Sequence, residues 1–426
     1  MKRVMLVTVL VAAVVVLAVV IGWQPDGRKP AGPTTGLEVV IVGVDAMDWF
    51  VLRTLLTDAQ MPATTSLLSR GLSGEMAADR PPVPEVGWTS LGRGRGLSEE
   101  ELSTVRGVDG RLYGLTPQLA RLVDAAGGKT LTVGWPASWP ADDEAGLVVA
   151  PYRPASAVHE TGLPAAILPG DAHACPPAIR ERVDELVGRN EEVWQDEFSR
   201  LIYDGPEPVG GWREHIDAAR WAFLADLTAI DVAASMMADQ SPDLMMVCLG
   251  GLDVVSHRFL APAMPSFFND PPEEYEAYAD VLDNYYRFVD SGIERLRRLT
   301  DENTIFIVCS TYGIHPSLDV PGATGSHVNG PPGVLILRGA RIVQRQKALS
   351  LATVDVAPTV LALLGVPIPT DMDGRVVQEA LPPGLLQAHP LSYSGTTKGT
   401  DGGRSDADLS TAEALVRARL EMVSVQ

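Results

Sequence analysis

The chain has 426 residues, 46% hydrophobic and 21% charged, and its 54 acidic against 34 basic side chains give a formal charge of −20. This is the composition of a globular protein with a large core, and the acidic excess argues against a nucleic-acid backbone as the main partner. Any anionic substrate would need a local positive centre, and the three cysteines Cys175, Cys248 and Cys309 are too few and odd in number for a disulfide framework.

At the N-terminus, Lys2-Arg3 precede an uncharged apolar run over residues 4–23, about the length that crosses a bilayer as one helix. The positive flank places the N-terminus in the cytoplasm. A cleaved signal segment would have a shorter core and a small-x-small exit, so a retained anchor over residues 1–23 is expected. Residues 24–36 are rich in Pro, Gly and Thr and read as a tether, which leaves the folded domain of residues 37–393 outside the cytoplasm, periplasmic or extracellular.

The run LEVVIVGV at residues 37–44 is nearly all apolar, as in a central parallel strand covered on both faces, and it stops at Asp45. In open parallel sheets the carboxyl ends of the strands face the ligand crevice, so Asp45 is placed for a metal or a phosphate-bound metal; as a helix cap it would compete with Asp48. GVDAMD lacks the glycine spacing of a dinucleotide fingerprint. Residues 81–96 (PPVPEVGWTSLGRGRG) follow as a proline-rich loop. A hydroxyl there, that of Thr89, suits a helix cap or, where helix-start amides support negative charge, a nucleophile. Arg93 and Arg95 offer phosphate contacts or a solvated surface.

Strand-like runs recur at 130–134, 243–249, 304–310 and 333–337, and Tyr278, Leu282, Tyr285, Val289, Ile293 and Leu296 keep helical spacing before the third of them. The alternation predicts an α/β protein with a mostly parallel sheet flanked by helices. Residues 135–240 turn irregular and then helical, as an insertion capping the site; its His159, His173 and His215 have no metal-like spacing. In MMVCLGGLDVVSHRF, residues 245–259, an apolar strand ends at Gly250-Gly251 and places Asp253 and His257 four apart, on one face of a helical turn. A carboxylate and an imidazole so placed suit zinc; the alternative is a helix-cap Asp beside an unrelated His. His327 lies in a glycine-rich loop before GVLILRG. DVAPTVLALLG at 355–365 reads as a helix closed by glycine. Residues 394–408 form a flexible linker, and a capping box at 410–413 opens a short C-terminal helix.

Together these segments resemble the alkaline phosphatase superfamily, and most closely its type I phosphodiesterase and nucleotide pyrophosphatase branch. VVIVGVDAMDW is similar to the first strand with its metal-binding Asp, PEVGWTSLGRG to the nucleophile loop, LGGLDVVSH to the DxxxH element, GSHVNGPPGVLIL to the late histidine loop, and TVDVAPTVLALLGVPIPTDMDGR to the closing helix and turn. The resemblance spans residues 37–375. It implies an alkaline-phosphatase-like sheet with one Zn2+ on Asp253, His257 and His327, a second metal on Asp45, Thr89 as nucleophile, Arg93 near the substrate, and a small-molecule phosphoric ester as substrate. Two close cations would clamp a phosphoryl group during in-line displacement.

The chain departs from the pattern at one place that bears on chemistry. Where the resemblance implies Ser-Asp-His-Gly, this chain has Ser310-Thr311-Tyr312-Gly313, so Thr311 and Tyr312 replace two ligands of the second metal. Arg106-Gly107 stands where a His-Gly pair is common, and His315 is the imidazole that could swing in. A metal-dependent hydrolase with a degenerate second site and a membrane-tethered binding or scaffold protein both follow from these residues. Sulfatase chemistry would need a CxPxR-type motif, which the residues after Thr89 do not supply.

Overall fold

Residues Glu38–Val44 form strand β1 near the middle of a nine-stranded sheet. Val40, Val42 and Val44 enter one hydrophobic cluster while Val39 and Ile41 enter another, so an unbroken apolar run serves two covered faces. The computed structural model describes residues 32–396, apart from 78–83, 100, 102–113, 144, 153–162, 171, 269–271, 320–321, 340–341 and 343–347, together with 414, 417 and 422. The apolar run at 4–23, Arg106-Gly107, His159 and the capping box at 410–413 lie outside the described residues.

The other strands of the sheet are β2 (Leu72–Ala77), β3 (Thr130–Val133), β4 (Leu147–Val149), β5 (Ala174–Cys175), β6 (Leu244–Leu249), β7 (Thr304–Cys309), β10 (Gly333–Gly339) and β11 (Leu349–Ala352). Between β7 and β10, β8 (His315–Pro316) and β9 (Gly325–Ser326) make a small antiparallel pair. The sheet order is β11-β2-β10-β7-β1-β6-β3-β4-β5. Strands β4, β3, β6, β1 and β7 run parallel, β10 opposes β7 and β2, and β5 opposes β4. The carboxyl ends of β1, β6 and β7 therefore open on one edge, where Asp45, Gly250 and Ser310 follow them.

The helices that position the site are α1 (Trp49–Thr57), α2 (Pro62–Arg70), α3 (Pro84–Arg93), α4 (Gln118–Ala125), α5 (Arg180–Leu201), α6 (Gly211–Gln240), α7 (Gly251–Ala263), α8 (Val281–Arg297) and α9 (Val356–Leu364). Asp48 caps α1, accepting from Phe50 N at 2.6 Å and Val51 N at 3.4 Å. Helix α8 buries Leu282, Tyr285, Val289, Ile293 and Leu296 of the expected stripe, whose first member, Tyr278, ends the 3-10 turn that precedes the helix. Helix α9 ends at Gly365 with φ 69°, a left-handed cap that glycine adopts without strain.

The region expected to cap the site divides. Pro136, Ala137, Trp139, Pro151 and Pro164 line the cleft at the carboxyl edge. The later part instead adds edge strand β5 and two helices whose apolar faces join the core. Helix α6 is the one described helix long and apolar enough to cross a membrane, and 83% of its apolar window is buried inside the protein, as in a core helix.

Candidate metal centre

Strand β6 ends at Leu249, and Gly250-Gly251 turn the chain straight into α7, so Asp253 falls in the helix's first turn and His257 one turn later on the same face. His327 arrives from the other side, on the loop between β9 and β10. All three are buried. Asp253 Oδ1 lies 2.6 Å from His327 Nε2 and 3.5 Å from His257 Nε2, and the two Nε2 atoms are 3.0 Å apart. A tetrahedral ion with bonds of roughly 2.0–2.1 Å keeps its ligand atoms about 3.4 Å apart, so the triad has donors for three of the four corners of a zinc shell.

The backbone sets the tautomers. His257 Nδ1 faces the Gly325 carbonyl and His327 Nδ1 faces the Gly313 carbonyl, each at 2.8 Å, so each Nδ1–H donates and each Nε2 turns a lone pair inward. Two lone pairs and a carboxylate converging in a buried space repel one another unless a cation lies among them, and this donor set fits zinc. Burial alone would raise the Asp253 carboxyl, but His257 and then His327, when they carry protons, hold it well below the usual carboxylate range, and a bound cation would take the place of those protons.

Asp45 follows β1, with its backbone N–H donating to Leu249 O at 2.9 Å, and is also buried. Its Oδ1 accepts the Trp88 indole N–H at 3.1 Å, and the Tyr312 phenol reaches toward it. Burial first, then the charge of Asp253, pushes the Asp45 carboxyl upward, while Tyr312, His327 and Trp88 pull it back. Trp88 reaches it because residue 43 is glycine: a Cβ there would sit 2.7 Å from the indole ring. Thr311 is fully buried against Gly87 of α3, and its hydroxyl has no partner among the described residues. With a threonine and a phenol in place of a carboxylate and an imidazole, Asp45, Thr311 and Tyr312 do not fit a second zinc. His315 Nε2 lies 2.8 Å from Val328 O and is engaged there.

Two expected site residues have surroundings different from those expected. Helix α3 begins at Pro84, so Thr89 sits in its second turn, not at a helix start. Its buried hydroxyl has no partner among the described residues, and Pro84 and Glu85 line the cleft with Asp45 and Asp253. A threonine read from chain position looked like a cap because the proline that begins the helix lies five residues earlier. Arg93 pairs with Glu101 at 2.9 Å, which Arg95 also engages, and it does not line the cleft. His173 is buried 3.3 Å from Asp184, and His215 packs on Trp212 and Phe259, both apart from the triad. Trp88, Glu85 and Asp226 carry no site role in the sequence reading, and Tyr285 enters it only as part of a helical stripe. For Trp88, its place beside Thr89 in the nucleophile-like loop is the one available signal.

Fold and site together define an open α/β sheet with a candidate metal triad along its carboxyl edge. The type I phosphodiesterase / nucleotide pyrophosphatase family matches residues 39–322, more than half of the chain, and the chain belongs to that family. Among solved structures, alkaline phosphatase PafA is similar over 80% of this chain and 98% of its own, at 11% identity and a TM-score of 0.51. A 2-O GAG sulfatase is similar over 81% of this chain and 74% of its own, at 13% identity and a TM-score of 0.51. A phosphonate monoester hydrolase, SpPMH from Silicibacter pomeroyi, covers 82% of this chain and 77% of its own at 14% identity and a TM-score of 0.46. At these identities the likeness establishes the fold, which is alkaline-phosphatase-like. No curated protein matches the chain by sequence.

Proposed function

We propose that this protein is a metal-dependent hydrolase of small phosphoric esters that works from one cation, held by Asp253, His257 and His327. The observation that carries the reading is the convergence of Asp253 Oδ1 and the two Nε2 atoms while both Nδ1 atoms rest on backbone carbonyls. Bound zinc would supply Lewis-acid stabilisation of phosphoryl charge, the positive centre that a chain of −20 otherwise lacks. The chain's own part is to orient. Gly325 and Gly313 hold the imidazoles in their ligating tautomers, and Pro84 and Glu85 of the first turn of α3 line the cleft. Pro136, Trp139 and Pro164 give the substrate's substituent an apolar wall.

A second reading, a binding or scaffold protein, is favoured by the hydrogen bonds that engage Asp45 and by the position of Thr89. Zinc analysis and turnover of an aryl phosphodiester by the full chain separate the two. Zinc with chelator-sensitive turnover supports the hydrolase, zinc with ester binding and no turnover supports the scaffold, and a chain without zinc defeats the metal-centred reading.

In this scheme Thr89 is not the nucleophile. Thr89→Val, which replaces a buried unpartnered hydroxyl with an apolar group of the same shape, should leave zinc content and turnover unchanged and the melting temperature unchanged or higher. A Thr89→Val protein with full zinc and no turnover would return the hydroxyl to the chemistry.

The proposal includes the setting: residues 1–23 anchor the chain and the domain faces outside the cytoplasm, as periplasmic or extracellular. A reporter that works only in the cytoplasm, fused to the C-terminus, should be silent, and its activity would reverse the topology.

A further inference from the structure

Helix α7 carries two of the three proposed ligands, yet its own sequence does not cap it: Gly250 stands at the N-cap and offers no side-chain hydrogen bond. The cap comes from another helix. Asp226 of α6, 2% exposed, accepts the Gly251 N–H at 3.0 Å on Oδ2 and 3.2 Å on Oδ1 and receives the Tyr285 hydroxyl of α8 at 2.9 Å. A Cβ on Gly251 would fall 1.8 Å from the Tyr285 oxygen and 2.6 Å from Asp226 Oδ2, so only glycine lets the turn close on this pair. The carboxyl group meets the positive end of the helix, in a place sealed from water.

We infer that Asp226, braced by Tyr285, is the positioning residue of the metal centre: it fixes where α7 begins, and thereby where Asp253 and His257 point. It touches neither ligand. A helix start displaced by a fraction of an ångström would carry Asp253, two residues on, out of reach of the ion that His327 holds from the opposite loop. The inference rests on the triad holding a metal.

The molecule contains its own control. Asp290 of α8, also 2% exposed, caps α2 in the same manner, accepting Ala63 N at 2.9 Å, Thr64 N at 2.8 Å and Thr64 Oγ1 at 2.6 Å, on a helix without a proposed ligand. The natural full chain, Asp226→Asn, Tyr285→Phe and Asp290→Asn are compared by zinc titration against a competing chelator and by amide hydrogen exchange without metal. Asp226→Asn should weaken zinc by about 10–100-fold, the range known for groups that orient metal ligands, and Tyr285→Phe should shift it less, in the same direction. Asp290→Asn should lower the melting temperature yet keep the natural zinc affinity. Exchange should quicken over residues 251–257 in the first two variants and over residues 62–70 in the third.

Natural affinity and natural protection of α7 in Asp226→Asn overturn the inference, as does an equal loss of zinc in Asp290→Asn, which would reduce the effect to general stability. A natural chain that binds no zinc defeats the metal reading and, with it, the part of Asp226 in metal binding. Exchange then reads only whether Asp226 sets the start of α7, with selective loss of protection over 251–257 supporting that and its absence refuting it. If Asp226→Asn does not fold, Tyr285→Phe carries the same comparisons.

Discussion

His257→Ala should strip the proposed centre of its metal. The natural chain is expected to hold close to one zinc, and the variant a small fraction of one, with affinity down by more than the roughly 10–100-fold that supporting groups command. The substitution deletes one of three convergent donors and leaves Asp253 with one imidazole in place of two. It also frees the Gly325 carbonyl, which now accepts from His257 Nδ1 at 2.8 Å. His173→Ala is the matching control, a buried histidine beside Asp184 that should keep the full zinc complement. Because imidazoles bind metal only when unprotonated, acidification of the natural chain should release the ion. Elemental analysis of desalted protein reads all three results, and an unchanged zinc content in His257→Ala would remove the triad from consideration.

The largest gain is expected from Thr311→Asp combined with Tyr312→His. In the natural chain Tyr312 is buried with its ring 4.3 Å from that of His327 and its phenol toward Asp45, so it stands where a second ion would need a ligand. A carboxylate and an imidazole at these positions would join Asp45 in a set that zinc accepts. The several kcal/mol that a second cation can supply correspond to about 100-fold or more in the hydrolysis of an aryl phosphodiester. Trp88 sets a limit on the gain, since its indole N–H occupies Asp45 Oδ1 at 3.1 Å, so Trp88→Phe added to the pair should tighten the second ion. The rate should rise with the second zinc and persist in Thr89→Val. A double variant that binds two ions and stays inert would shift the weight to the scaffold reading, and a natural chain already as fast with one ion would show that the second site is not needed.

Much of this protein is local in origin. The runs at 37–44, 243–249 and 304–310 become β1, β6 and β7 because an unbroken apolar stretch satisfies a strand covered on both faces, and the glycines at 250–251 stop the strand where the helix must turn. The four-residue spacing of Asp253 and His257 needs only one helical turn to bring the two side chains together. Strands β2, β4, β5 and β11 escaped notice since they are short or carry polar residues and lie toward the sheet's margins, where pairing rather than side-chain pattern makes the strand.

What chain order alone determined, then, is the fold class and the pairing of Asp253 with His257, both governed by forces acting over a few residues. The family resemblance implied His327 and Asp45 as further ligands, and tertiary structure decided how the site is assembled. It carried His327 to Asp253 across 74 positions, set Trp88 and Tyr312 around Asp45, and began α3 at Pro84 so that Thr89 turned inward. It also made Asp226, 25 positions upstream of Gly251, the cap of the ligand helix. A buried hydrogen bond depends on which groups packing leaves without water, and that is settled only when distant segments close on one another.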